Sequence, residues 1–216
     1  MKRLKTRCKP IDRILGGGIE YGIITMVYGE SGTGKTNFCL QASRECAKKG
    51  IKVVYIDSEG VSFERLSQIT SDKYEKIVEK MLFFRPNSFE SQEKLIEDIK
   101  KVKDPGLIII DTINLYYRME LEDEKEKVLR SFLRQMGNLQ MIAREKDIPV
   151  IVVGQVYTDK TGEIKPFIHR ETDHLIKTTI RFDKKDVGIR TVNLIKHRSE
   201  AEGKKATFKI TSDGLE

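Results

Sequence analysis

The sequence predicts an α/β fold: a mainly parallel, twisted sheet flanked by helices on both faces, with a C-terminal antiparallel strand extension. Two observations predict it. Short β-branched runs bounded by turn residues alternate with helical patterns through most of the chain, the order that builds parallel strands joined by crossover helices. After residue 174 the helical patterns stop, and three strand-like runs follow one another across polar turns, as antiparallel strands do.

In chain order, IITMVY at 23–28 reads as a first buried strand and is followed by a helical pattern over 35–49. KVVYID at 52–57 is the second strand, a helix is expected over 88–102, and LIIID at 107–111 is the third strand. A long helix from about 122 to 146 carries Val128, Phe132, Met136 and Leu139 at three- to four-residue spacing, an apolar stripe for one sheet face. PVIVVGQV at 149–156 closes the parallel set. These runs are continuously apolar, as strands covered on both faces are. KTTIRF, IRTVNLIKH and ATFKI, beginning at 177, 189 and 206, form the extension. There is no linker, repeat or low-complexity stretch, and 216 residues suit one domain spanning 1–216.

Composition excludes several classes. No apolar run approaches the roughly 18 residues of a membrane span, and the N-terminal MKRLKTRCKP lacks the apolar stretch of a secretory signal. A soluble, cytoplasmic, nucleoid-associated protein is expected. Cys8, Cys39 and Cys46 read as reduced packing residues, and the three histidines are scattered without metal-ligand spacing. The net charge of +7 is unevenly placed: residues 1–15 hold six Lys/Arg against Asp12, and residues 177–209 hold ten against four Asp/Glu. The remainder is net acidic, so the two ends carry the positive field. That field suits either an anionic polymer or an ordinary solvated, lysine-rich surface.

GESGTGKT at 29–36 is the most specific motif. Gly29, Gly34, Lys35 and Thr36 satisfy G-x-x-x-x-G-K-[ST] between a predicted strand and a predicted helix. Gly32 and Gly34 let the backbone curl, so that the N–H groups of Glu30, Ser31, Gly32, Thr33 and Gly34 can point at phosphate oxygens beside a helix N-terminus. Lys35 then reaches the β- and γ-phosphates of a nucleoside triphosphate, and the Thr36 hydroxyl ligates Mg²⁺. Asp111 ends the third strand, where a parallel sheet brings it next to Thr36 and the metal. Glu59, just after the second strand, is placed to orient and deprotonate an attacking water, although a solvated turn residue is the plainer explanation of Glu59 taken alone.

GGGIEYGIITMVYGESGTGKT, YIDSEGVSFERL, LIIIDTI and VIVVGQV, in that order and spacing, resemble the RecA-like ATPase core of the RecA/RadA recombinase superfamily over residues 15–216. Within it the resemblance points to the archaeal RadB group, whose chains begin at the core without an N-terminal helix-hairpin-helix domain. It implies ATP and Mg²⁺ as ligands, Glu59 as the water-activating base, Asp111 as metal support, and Gln155 as a γ-phosphate sensor that relays to DNA-binding loops. It also offers Arg65 of F-E-R-L as the arginine stacked on adenine, in a segment one residue shorter than the family's.

The departures matter as much. MELEDEKEK at 119–127 stands where active recombinases carry a basic first DNA loop, and its five acidic residues would repel phosphate. The second loop, YTDKTGEIKPFIHRETDH, lacks paired glycines, and no F-x-x-A segment for filament assembly is expected before Ile11. The resemblance thus implies a weakly ATP-hydrolysing, DNA-binding accessory protein of recombination and repair without strand exchange of its own. Its partners would be DNA and a RadA-type recombinase or other repair proteins. Lys165, Arg170, Lys204 and Lys205 are the candidate phosphate contacts. Lys196 and Arg198, two apart on the strand IRTVNLIKHR, share a face on paper. They match basic residues that reach a neighbouring subunit's γ-phosphate in KaiC-like and bacterial RecA assemblies, or they are a basic strand end contributing to DNA affinity. A KaiC-like signalling ATPase acting through subunit contacts without DNA is the second reading of the whole chain.

Overall fold

The computed structural model describes residues 2–121 and 125–216. Its strands are β1 (Arg3–Leu4), β2 (Ile19–Glu20), β3 (Ile24–Tyr28), β4 (Lys52–Asp57), β5 (Met81–Phe84), β6 (Pro105–Asp111), β7 (Val150–Gly154), β8 (Val156–Thr158), β9 (Ile164–Pro166), β10 (Ile176–Asp186), β11 (Ile189–Lys196), β12 (Lys205–Thr211) and β13 (Gly214–Leu215). Its helices are α1 (Lys9–Ile14), α2 (Lys35–Ala47), α3 (Phe63–Thr70), α4 (Tyr74–Val78), α5 (Phe89–Asp98), α6 (Leu115–Glu120) and α7 (Lys125–Glu145).

One sheet runs in the order β13-β12-β11-β10-β3-β7-β6-β4-β5. Neighbours from β10 to β5 are parallel, and β10 through β13 pair antiparallel. The mainly parallel sheet with its C-terminal antiparallel extension is therefore the architecture expected from the sequence.

Alternation along the central strands explains their unbroken apolar runs. In β4, β6 and β7 the residues Val53, Tyr55, Leu107, Ile109, Ile151 and Val153 enter one core, shared with Phe38 and Leu40 of α2 and Leu66 and Ile69 of α3. Their neighbours Val54, Ile56, Ile108, Ile110, Val150 and Val152 enter the other core, against Ile96 of α5 and Phe132, Met136 and Leu139 of α7. Both faces are covered, so the interior positions of these strands are apolar and the carboxylates Asp57 and Asp111 stand at their C-terminal ends. The extension differs. Ile180, Phe182, Val192, Leu194 and Phe208 join only the first core, which is why these strands alternate apolar with polar residues. Cys8, Cys39 and Cys46 are buried and free. Among the described residues no helix is long and apolar enough to cross a membrane.

Several elements depart from the expected ones. β5, the edge strand, and the short helices α1, α3, α4 and α6 were not foreseen, because runs of four to eight residues carry too little periodicity to identify. The helix expected over 88–102 is α5, capped by the Ser88 hydroxyl accepting from Ser91 N at 3.0 Å, and then tightens into a 3-10 turn at Ile99–Lys101. The start expected for α7 near 122 falls outside the described residues. The run 149–156 is not one strand. Asn114 Oδ1 accepts the Gln155 N–H at 2.9 Å, the sheet strand ends at Gly154, and β8 turns away to pair with β9.

Candidate nucleotide site and nucleic-acid interface

Strand order decides what meets what. β3, β7, β6 and β4 are successive neighbours, so their C-terminal ends deliver, side by side, the loop at 29–34, Gln155, Asp111 and Glu59. A parallel sheet collects its ligand groups along this edge. At this edge lies a cleft of about 550 Å³ lined by Gly29, Ser31, Gly32, Gly34, Lys35 and Thr36 together with Glu59, Arg118 and Gln155.

The loop needs its glycines for stated reasons. Gly29 has φ +150° and a Cβ there would collide with the Phe182 carbonyl oxygen of β10, while Gly34 has φ +98° as the residue preceding α2. Thr33 Oγ1 donates to the Glu30 carbonyl at 2.8 Å and fixes the turn. Lys35 Nζ donates to the carbonyls of Gly29 and Glu30 at 2.7 and 2.9 Å. Burial lowers its pKa, and Asp111 and Glu59 oppose that shift. The cradle, a lysine at its mouth and the N-terminus of a 13-residue helix fit a polyphosphate.

Asp111 is 3% exposed. Its Oδ2 accepts from Thr36 Oγ1 at 2.9 Å and from the Tyr55 hydroxyl at 2.8 Å. Burial pushes its carboxyl up to about 6, against those two hydrogen bonds. The same burial, with Asp111 beside it, pushes the Tyr55 phenol well up. A hydroxyl and a carboxylate in contact form a hard oxygen pair, the donor set that suits Mg²⁺ held jointly with phosphate and water.

Glu59 Oε1 accepts from Gln155 Nε2 at 2.7 Å and from Thr112 Oγ1 at 3.3 Å. Two residues not foreseen hold this pair. Asp57, 3% exposed, accepts the Gly60 and Val61 N–H groups at 2.8 Å each and the Arg85 Nε at 3.3 Å, which shapes the turn that carries Glu59. Asn114 grips Gln155 by its N–H and also donates to the Phe167 carbonyl at 2.7 Å. Asp57 had a readable signal: it ends β4 in register with Asp111. Asn114 and Arg118 had none.

The remaining predicted residues scatter. Arg65 donates from Nε to Asn37 at 2.9 Å and from its other nitrogens to the carbonyls of Thr211 and Ser212 at 2.6 and 2.8 Å, which ties α3 to the C-terminal turn. It stands beside the loop helix and not among the cleft-lining residues. β11 ends at Lys196, so Arg198 lies beyond the strand on which the two were expected to share a face, and the two cations take different partners. Lys196 binds Asp173 at 2.8 Å and Arg198 binds Glu20 at 3.1 Å. Of the candidate DNA contacts, Lys165 pairs with Asp159 and Glu163 at 2.6 and 3.3 Å, and Lys204 with Glu200 at 2.6 Å. Arg170 and Lys205 are exposed. The acidic segment 119–127 lies partly in residues 122–124, outside the described residues.

Comparison with known proteins agrees with this layout. The Rad51 family model matches residues 1–216. The chain is 41% identical over 219 residues to the DNA repair and recombination protein RadB of Methanococcoides burtonii, covering 99% of this chain and 97% of that protein. It is 38% identical to the RadB of Thermoplasma acidophilum over 100% of this chain and 94% of that one. The crystal structure of a RadB recombinase superposes with a TM-score of 0.85 at 34% identity, covering 98% of both chains, which places the sheet in the RecA-like fold. A phosphate loop, a metal-compatible acid and a base candidate on adjacent strand ends, inside a match that runs from end to end, lead to one conclusion: the chain belongs to the Rad51 family.

Proposed function

We propose that this protein binds ATP with Mg²⁺ and DNA, and acts as an accessory protein of homologous recombination and DNA repair that hydrolyses ATP slowly and does not exchange strands by itself. The observation that carries the reading is the Thr36–Asp111 contact set beside the Glu59–Gln155 contact in one cleft. Thr36 and Asp111 would hold the cation, which when bound neutralises phosphate charge. Lys35 and the loop N–H groups orient the triphosphate, and Glu59 takes a proton from the attacking water.

The slow turnover in this reading is supported by the hold on Glu59, whose Oε1 is engaged by Gln155 and Thr112, so that Gln155 must move before that oxygen meets a water. The recombination and repair role rests on the names of the relatives, and the acidic composition of 119–127 supports the lack of strand exchange. A RadA-type recombinase is the partner in this reading.

The deciding experiment is equilibrium binding to single-stranded, duplex and branched DNA across a salt series, with and without ATP and Mg²⁺, alongside a strand-exchange assay. Affinity that falls steeply with salt and is indifferent to base sequence is expected, with no exchange. Absence of DNA binding at low salt would favour the signalling-ATPase reading, and robust exchange by the protein alone would overturn the accessory role.

A further inference from the structure

We propose that Arg118 reads the terminal phosphate of the bound nucleotide from within the same chain and passes its presence to the β8–β9 hairpin. The proposal rests on the nucleotide reading above and deepens it. Two cations line the cleft, Lys35 and Arg118. Lys35 sits on the loop and meets any polyphosphate there. Arg118 comes from α6, which starts four residues after Asp111.

The base of Arg118 is firm. Its neighbour Tyr117 is 3% exposed and stacks on Phe132 at 4.2 Å between ring centroids. Among the described residues no carboxylate lies within ion-pair distance of the Arg118 guanidinium, in contrast to Lys165, Lys196 and Lys204. The guanidinium lies over the face of Phe167, 5.8 Å from the ring centroid. Phe167 follows β9 directly, donates its N–H to the Gln155 carbonyl at 2.8 Å, accepts from Asn114 at 2.7 Å, and meets Tyr157 of β8 edge-on at 6.1 Å. The ring beneath Arg118 is therefore the point where the hairpin is fastened to the cleft.

An arginine suits both contacts at once, because its planar fork offers paired donors to phosphate oxygens while its face rests on an aromatic ring. A lysine supplies the charge without the plane. A diphosphate leaves the terminal position empty, so Arg118 remains on Phe167. A triphosphate draws the guanidinium toward the cleft and changes what holds the hairpin.

The test compares a non-hydrolysable ATP analogue with ADP, both with Mg²⁺, in wild type, Arg118→Ala, Arg118→Lys and Lys35→Ala. It reads equilibrium affinity and the rate of tryptic cleavage after Lys160, exposed in the hairpin turn. Arg118→Ala is expected to lose roughly 10- to 100-fold in affinity for the triphosphate analogue, the worth of a hydrogen bond to a charged group, with ADP affinity within about twofold. It should also lose the difference in cleavage between the two nucleotides. Arg118→Lys should keep part of the triphosphate preference and lose the hairpin response. An unchanged triphosphate-to-diphosphate ratio in Arg118→Ala overturns the proposal, and a fall in DNA affinity alone would move Arg118 to the nucleic-acid surface. A nucleotide-dependent cleavage difference that survives in Arg118→Ala overturns the coupling. Lys35→Ala binding both nucleotides as wild type does would overturn the nucleotide reading itself.

Discussion

The cleft at the sheet edge and the basic C-terminal surface were both picked out by residue type, and the structure treats them differently. In the cleft, Lys35, Thr36, Glu59, Asp111 and Gln155 come together from four strand ends, with Thr36 bound to Asp111, Gln155 to Glu59 and Lys35 to the loop backbone. On the basic surface Lys165, Lys196, Lys204 and Arg198 each meet an acid of the same chain. The difference teaches that a motif encodes position, because strand and loop geometry fix where its residues go. A count of charges encodes none, and a lysine four residues from a glutamate, as Lys204 is from Glu200, is half neutralised before any ligand arrives.

The comparison breaks most directly at Lys35. Lys35→Ala should weaken nucleotide binding by at least about 100-fold, given that a charge-assisted contact to phosphate is lost from a partly buried site, and isothermal titration would show it. If binding persists, the cleft is no better encoded than the basic surface. Next in size is Glu59→Gln, which should leave nucleotide affinity within about twofold and lower hydrolysis by roughly 10²- to 10⁴-fold, the ordinary contribution of a general base. Equal losses of binding and turnover would mean that Glu59 shapes the loop and is not the base.

The basic surface is sharpened by setting Lys205 and Arg170, which have no ion pair among the described residues, against the paired Lys204. Lys205→Ala and Arg170→Ala should each weaken DNA binding and lower the salt slope by about one, while Lys204→Ala should change little because its charge is spent on Glu200. Similar losses at all three positions would remove the distinction. The smallest effect concerns the junction where the N-terminal segment meets the residues just after β11. Glu20, 2% exposed, binds Arg3 and Arg198, and His197 Nε2 lies 3.9 Å from it. Burial holds His197 below its ordinary 6.5, with Glu20 pulling the other way. The unfolded chain therefore binds the proton first, so stability is full above about pH 6.5 and falls as pH drops toward the folded value. Thermal melts should show the midpoint declining below pH 6.5, with a shallower decline in His197→Gln.

Much of the site was legible because its residues mark strand ends. Gly29, Lys35, Thr36 and Asp111 announce themselves by motif and by the apolar runs they terminate. What was not legible is what supports them. Asn114 and Arg118 lie in a turn and a six-residue helix without periodicity, and their importance comes from Gln155 and Phe167, which are 41 and 49 residues further along the chain. The end of β11 was not legible for a related reason: the strand stops at Lys196, Arg198 lies beyond it, and nothing local in IRTVNLIKHR signals where pairing ends.

The sequence by itself determined the α/β class, the parallel core with its antiparallel extension, and the residues of the phosphate loop. These depend on local patterns: the period of apolar residues, glycines where the backbone must turn sharply, and a carboxylate at a strand end. Only the tertiary structure decided strand order, and hence that Glu59 meets Gln155 and that Arg118 lines the same cleft as Lys35. It also decided which cations carry an acidic partner. Strand order and ion pairing are settled by which distant segments pack together, through burial and charge summed over the whole molecule, and a short stretch of chain carries no record of that sum.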